Sequence, residues 1–243
     1  MTFNETRNDL IELQNSLRKK LIRNVTCKNF RYVGGADLTF VDDLYIGCFV
    51  VIDCENSLQP VYEKCKRFNV NVPYVPGLLC FREGPVVVDL YKEFCLSNPG
   101  IKLDALLVDG CGEWHPRGFG LACYVGLECN LPTIGVSKSF LYVGSSHHGK
   151  EVQNEAQDKC KNIGDTMKLT FKLEDGYEIN CGVMRTTCSI PFKPIFVSAG
   201  NLIDYYTSIN LVKQICKFRE PEPLRLADRI SRQYVRDRKT KIN

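Results

Sequence analysis

The stretch Leu106-Leu107-Val108-Asp109-Gly110-Cys111-Gly112-Glu113-Trp114-His115-Pro116-Arg117-Gly118 decides how the chain is read. An apolar run enters an aspartate, and two glycines, the single Trp, a His, a Pro and an Arg follow at once. A short continuous apolar run bounded by turn residues is the pattern of a strand buried on both faces. Ligands of open α/β sheets gather at the carboxyl ends of such strands. Asp109 therefore stands where a carboxylate can meet a ligand, and Gly110 and Gly112 let the backbone come close to it.

Working outward, a strand at 103–108, a helix around 118–128 and a strand at 132–136 ending in Ser137-Lys138 make a βαβ unit with parallel strands. Upstream, Leu10, Ile11, Leu13, Leu17 and Leu21 predict an amphipathic helix over 5–24. Strand-like runs at 30–40, 45–52 and 60–68, joined by short connections, predict an antiparallel meander. Val72-Pro73-Tyr74-Val75-Pro76-Gly77 cannot be regular structure, and a helix of about 14 residues follows through Leu96. Downstream, residues 144–164 read as a polar surface excursion. Strands near 166–173 and 178–185 flank the Asp175-Gly176 turn, and 195–198 is another strand. Helices follow at about 204–217 and after Pro221-Glu222-Pro223, the last trailing into a basic tail over 236–243. No linker splits the chain, so residues 1–243 are expected to form one α/β domain.

The 243 residues are 44% hydrophobic and 25% charged, an ordinary globular balance with enough chain for a sizeable core. No apolar run approaches the ~20 residues of a membrane span, which sets membrane partners aside. The N-terminus is too polar for a signal peptide, so the protein is expected in the cytoplasm or nucleus, nucleolus included, and not secreted. A net charge of +4 permits a nucleic-acid partner without arguing for one. Thirteen cysteines with no C-x-x-C spacing, beside three histidines, argue against a zinc cluster and predict reduced, mostly buried thiols.

Three carboxylates fall where elements begin or end: Asp37 behind Gly34-Gly35, Glu83 after Phe81-Arg82 at a helix start, and Asp109. A hard cation such as Mg²⁺ takes oxygen ligands and keeps several waters, so carboxylates gathered at a sheet rim suit it. For any one of them a cap or surface role is the ordinary alternative. Lys138 ends a strand parallel to that of Asp109, where it can neutralise a phosphate or orient a water, or simply be exposed. His115 is a candidate general acid or phosphate donor, against a backbone-bonded structural role. Tyr74, held between two prolines, can stack on or wedge between bases, against packing under its own loop. Arg225, Arg229, Arg232 and Arg236 line one side of the last helix, as a phosphate track or a solvated face. Asp228 on that helix is placed for an intrahelical ion pair or for a further carboxylate of the metal shell.

These residues together resemble the endonuclease V family over roughly Arg31 to Ser231. The resemblance is carried by Gly35-Ala36-Asp37, Pro73-Tyr74-Val75-Pro76-Gly77 with Phe81-Arg82-Glu83, Val108-Asp109-Gly110 with His115-Pro116-Arg117, and Pro132 through Lys138. Lys193-Pro194-Ile195-Phe196-Val197-Ser198 and Pro221-Glu222-Pro223 with Ala227-Asp228 complete it. It implies a ribonuclease H-like fold, a mixed five-stranded sheet flanked by helices. It also implies an endonuclease that hydrolyses the second phosphodiester 3′ to inosine in RNA or deoxyinosine in DNA. By the same resemblance Asp37 and Asp109 bind Mg²⁺, with Mn²⁺ as a substitute. Glu83 completes the acidic centre, Asp228 takes the additional acidic or His position, and Lys138 sits beside the scissile phosphate. Tyr74 is the wedge, and Gly77, Leu79, Gly110 and Gly112 line the base pocket, with Arg82 among the substrate contacts.

Asn201 and Thr187 depart from the family pattern, which often has His and Arg there. The insertion and the cysteine usage look eukaryotic, and in eukaryotic members the preferred substrate is RNA. A monomer is expected. The alternatives are a non-catalytic binder of inosine-containing RNA and another ribonuclease H-like nuclease such as a junction resolver.

Overall fold

Three consecutive strand runs pair as a meander: β1 (Tyr32–Val41) runs antiparallel to β2 (Leu44–Asp53), and β2 to β3 (Gln59–Phe68). The structure is a computed structural model and describes residues 3–41, 44–69, 73, 75–144 and 149–239. On its other side β1 lies parallel to β4 (Ala105–Asp109), and β4 parallel to β5 (Thr133–Ser137), with α3 (Leu121–Cys129) as the crossover helix. The expected meander and βαβ unit are therefore both present. The sheet does not stop at five strands. β8 (Ile195–Ala199) adds antiparallel to β5, followed by β7 (Glu178–Met184) and β6 (Thr166–Lys172), giving eight strands in the order β3-β2-β1-β4-β5-β8-β7-β6. The Asp175-Gly176 hairpin forms as read and docks onto the main sheet through β8, so its strands belong to the same layer.

Helices cover both faces. α2 (Leu79–Ser97) and α3 bury Val87, Leu90, Phe94 and Val125 against Phe49, Leu106 and Val108. α5 (Tyr205–Ile215) and α6 (Glu222–Lys239) bury Leu211, Ile215, Leu224 and Ala227 against Val33, Val50, Leu107 and Ile134. Side chains alternate along each strand, so Asp37 and Asp109, in step with Val33 and Leu107, belong to the α5/α6 face. No helix among the described residues is long and apolar enough to cross a membrane.

Four boundaries differ from the sequence reading. α1 (Phe3–Arg18) ends before residue 24, because Ile22 donates its N–H to Asn201 Oδ1 and Arg23 bridges to Ile203 instead of continuing the helix. α2 is 19 residues long and carries Pro85 within it. The 144–164 excursion contains α4 (Gly149–Lys159), whose Val152 and Ala156 are buried in a cluster with Trp114 and Phe196. The basic tail is helical through Lys239. The expectation of uniformly reduced thiols is also corrected. Cys48 and Cys65 are directly opposed across β2 and β3, with Cα atoms 4.2 Å apart and sulfurs joined in a disulfide.

The close seating of α6 on β1 needs Gly35. A Cβ there would lie 2.5 Å from the Pro223 carbonyl carbon and 2.8 Å from the Leu224 nitrogen, both backbone atoms. Thr39 and Ser231 hydroxyls bond at 2.8 Å about two helical turns further along the same contact. Gly35→Ala is expected to lower stability by about 1–3 kcal/mol by overpacking, measured by urea unfolding. An unchanged midpoint would show that α6 shifts without penalty.

Candidate active site

Parallel pairing sets Ala36 beside Val108, so Asp37, within β1, follows next to Asp109 at the end of β4. Asp37 is 5% exposed and shares a side-chain hydrogen bond with Asp109. Burial, then repulsion from Asp109 and Asp228, pushes the Asp37 carboxyl up to about 7 against the opposing pull of Lys138. Glu83, at the start of α2, is also pushed up to about 7, by burial and by Asp109, with Arg82 and the Tyr45 hydroxyl opposing. Two carboxyl groups that resist ionising together are the mark of negative charge crowded at one place. Lys138 Nζ, at the end of β5, lies 3.0 Å from Asp109 Oδ2 and 3.0 Å from Glu220 Oε2. Burial pulls its pKa down, but attraction by Asp109 and Glu220 outweighs this and the net shift is upward. Asp228, carried to the rim by α6, accepts from Arg232 Nε at 2.8 Å, the intrahelical pair its spacing allowed.

Among the described residues no group of three or more His, Cys, Asp or Glu is drawn together as a closed metal cage. The arrangement still fits a hard divalent cation. Mg²⁺ is held by one or two carboxylates, its remaining positions taken by water and substrate phosphate. Asp37 and Asp109 are such a pair, and a cation held by them would offset the burial and repulsion that raise the Asp37 pKa.

Beyond Asp109 the chain turns back over β5 and β8. Gly112 N–H donates to Ser198 Oγ at 2.8 Å, and Glu113 N–H to the Ala199 carbonyl at 2.7 Å. Any Cβ at Gly112 would meet the Ala199 carbonyl oxygen. Glu113 is then buried, bonded to Arg23 Nη2 at 2.6 Å and to Asn180 N–H at 3.0 Å, and Trp114 Nε1 donates to the Leu141 carbonyl at 3.0 Å. This leaves a cavity of about 330 Å³ whose walls include Gly77, Leu79, Gly110, Cys111, His115 and Leu121.

The cavity floor is a polar knot that sequence reasoning missed. Gln14 of α1 is 0% exposed; its Nε2 donates to the Phe119 carbonyl at 2.6 Å and to the Gly77 carbonyl at 3.2 Å. Arg117 Nε donates to Gln14 Oε1 at 2.5 Å and Arg117 Nη2 to the Gly77 carbonyl at 2.5 Å. Only a polar residue on the apolar side of the first helix could have signalled Gln14. Glu220 was missed likewise, though it stands directly before Pro221.

The structure brings Asp37, Glu83, Asp109, Lys138 and Asp228 to one rim. His115 is elsewhere, in the cavity wall, where its Nδ1 accepts from Arg117 N–H at 3.2 Å. Burial, then Arg117, lowers its pKa to about 3 against the Gly77 backbone contact, so it is neutral near pH 7. Gly112 lies behind the wall formed by Gly110 and Cys111. Arg82 packs over the Tyr45 ring at 5.1 Å. Tyr74 is outside the described residues. Of the arginine stripe, Arg225 is held by Glu222 at 2.7 Å and Arg232 by Asp228, so it is partly neutralised. Of the two departures, Asn201 lies away from the rim, while Thr187 follows β7 at the end of the sheet where Phe196 pairs with Ser137. Asn201 is 2% exposed and ties Ile22 to Gly126 at the opposite end of β5, and Thr187 bonds Ser189.

A family model described as endonuclease V matches residues 15–229. Endonuclease V of Mus musculus is 34% identical over 221 residues, covering 88% of this chain and 62% of its own, so the chain spans less than two thirds of that relative. Endonuclease V of Dictyoglomus thermophilum is 36% identical over 220 residues, covering 90% of this chain and 86% of its own. The catalytic domain of human endonuclease V superposes with a TM-score of 0.85 at 29% identity, covering 96% of this chain and 97% of that one. A Ciona intestinalis endonuclease V superposes at 0.86 with 27% identity, covering 98% and 99%. It was solved with a 23-mer DNA containing an inosine followed by a ribo-adenosine.

The raised Asp37 pKa makes a stability prediction. The folded value of about 7 lies above the ordinary 3.8, so the folded state holds this proton more tightly. The resulting stabilisation is fully present below about pH 4 and is lost as pH rises through about 7. In chelator, the Asp37 contribution therefore falls between about pH 4 and 7, and Asp37→Asn makes the dependence of thermal unfolding on pH shallower. Added Mg²⁺ raises the wild-type midpoint at pH 8 more than that of the variant. Identical slopes and identical metal shifts would contradict the assignment.

Proposed function

The chain belongs to the endonuclease V family, and we propose from that membership that it is a Mg²⁺-dependent nuclease. In this reading it hydrolyses the second phosphodiester 3′ to inosine in single-stranded or weakly paired RNA, on a ribonuclease H-like core, with deoxyinosine DNA as a further substrate. The observation that carries the reading is the cavity of about 330 Å³ that begins at Gly110, the residue after Asp109. A base-sized recess thus adjoins a pair of crowded carboxylates on one continuous backbone. The Ciona relative, solved with inosine followed by a ribonucleotide, supports the RNA preference.

Recognition would fall to the cavity backbone. Hypoxanthine lacks the exocyclic amines of guanine and adenine, and a tight polar-backed recess discriminates by leaving unmatched groups unpaired. Gln14 and Arg117 hold the Gly77 carbonyl in place, so the wall is rigid before the base arrives. Turning a base out of a stack costs a few kcal/mol, least where pairing is weak. Tyr74, which lies between Pro73 and Pro76 in the sequence, would fill the space left behind.

At the rim, Asp37 and Asp109 would hold the cation, with Glu83 and Asp228 adding charge beside it. A bound Mg²⁺ supplies Lewis-acid polarisation of the phosphate and lowers the pKa of a water. Lys138 moves its ammonium between Asp109 and the phosphate oxygen, and Glu220 keeps it near the rim when substrate is absent. Arg219 supports that position, donating to the Lys138 carbonyl at 3.3 Å and the Pro194 carbonyl at 3.4 Å. The complete acidic set speaks against a purely binding role.

The test is cleavage of matched oligonucleotides carrying one inosine or one deoxyinosine. The wild type is expected to act faster on RNA with Mg²⁺ and to stop on chelation. Asp37→Ala and Asp109→Ala should each lose roughly 100-fold or more in rate. Equal cleavage by these variants would refute the proposed centre. Tyr74→Ala is expected to slow cleavage of inosine RNA, and unchanged activity would instead favour a nuclease that does not turn the base out.

A further inference from the structure

β1 does not end at its catalytic-site aspartate. It continues through Leu38, Thr39 and Phe40 to Val41, whereas the neighbouring β4 stops at Asp109. The β1–β2 hairpin therefore projects past the acidic pair. At ~3.3 Å per residue, Phe40 lies about 10 Å along the strand from Asp37. Phe40 and Tyr45 are directly paired across the hairpin. On β2 the residues in step with Tyr45 face α2, as Gly47 does against Leu90 and Val86. Phe40 is thus on the α2 side of the sheet, the side on which Gly77, Leu79 and Leu121 wall the base cavity.

Phe40 is 53% exposed, an unusual position for a large aromatic beside a polar site. Its ring rests against Tyr45, centroids 5.2 Å apart at 49°. The Arg82 guanidinium lies 5.1 Å from the Tyr45 centroid and 5.7 Å from that of Phe40. Tyr45 is 5% exposed, and its hydroxyl donates to Glu83 Oε1 at 3.5 Å. One part of Phe40 is backed by a buried ring and a cation, and those supports are themselves tied to the acidic rim. The ring is presented from a rigid element, where a stacking surface loses little conformational freedom on use.

We propose that Phe40, backed by Tyr45 and Arg82, is a stacking platform for an unpaired nucleobase on the 3′ side of the scissile phosphodiester. The proposal rests on the inosine reading above. With inosine in the cavity beyond Gly110 and the scissile phosphate over Asp37 and Asp109, the product strand that leaves past the acidic pair passes the hairpin. An aromatic face there is tolerant of base identity, because every nucleobase offers a π-face. The platform would add affinity 3′ of the cut without adding a sequence requirement.

A substrate-by-protein cycle tests this. Single-inosine RNAs carry either a normal base or an abasic ribose at each of the two nucleotides 3′ of the cut, and are cleaved with Mg²⁺ by wild type, Phe40→Leu and Phe40→Trp. Phe40→Leu retains apolar bulk for folding but removes the π-face. It is expected to lower kcat/KM about fivefold or more on the base-bearing RNA, with no further loss on the abasic RNA at the stacked position. Phe40→Trp retains wild-type discrimination. Equal losses by Phe40→Leu on all substrates, or none on any, overturn the platform while leaving the inosine reading intact. Failure of the wild type to cleave inosine RNA, or equal cleavage of a guanosine control, overturns that reading and the platform with it.

Discussion

The turn that folds residues 110–113 back over β5 and β8 is the constraint on which the site depends. Its two hydrogen bonds, from Gly112 to Ser198 and from Glu113 to Ala199, fix the chain immediately after Asp109. The same backbone then becomes the wall of the cavity. Glycine at 112 is required because the Ala199 carbonyl occupies the space of a Cβ. The buried Glu113–Arg23 pair and the Trp114–Leu141 bond hold the far end, so recess and carboxylate cannot move independently.

A second constraint is electrostatic. Asp37, Glu83, Asp109 and Asp228 converge on one rim, Asp37 buried and the others half-buried, and the balancing cations are Lys138, Arg82 and Arg232. Burial raises the free energy of each charged carboxylate, and neighbours of like sign raise it further. The protein therefore carries a destabilised acidic rim near neutral pH, held in place by the packing of α6 on β1 and of α2 on β2. In the proposed function this destabilisation is what gives a divalent cation its affinity. The stability lost without metal and the binding gained with it have a single origin.

Much of this was legible in the sequence. The run from Leu106 to Asp109 and the run from Thr133 to Lys138 announced parallel strands ending in functional side chains, and alternation of strand and helix gave their relation. The carboxylates were legible as candidates, and the resemblance to endonuclease V tied them together. Their convergence was not, since it depends on α6 returning to β1 across almost the whole chain. The sheet was read too small because β8 inserts between β5 and β7, a long-range pairing that no local pattern encodes. The Cys48–Cys65 bond depends on strand register, and register is a property of the pair. Gln14 was invisible for a similar reason: its partners, Gly77, Phe119 and Arg117, come from three distant segments. His115 left two roles open by residue type alone, and its burial with a Gly77 backbone contact is the surrounding expected of the backbone-bonded one.

The central claim is that the cavity and the acidic pair act on one strand at a fixed spacing. Mapping the cut in an RNA that carries a single inosine at successive positions, with Mg²⁺, tests it most directly. The account predicts that the cut moves in step with the inosine, always at the second phosphodiester on its 3′ side. A cut whose position does not follow the inosine would contradict it.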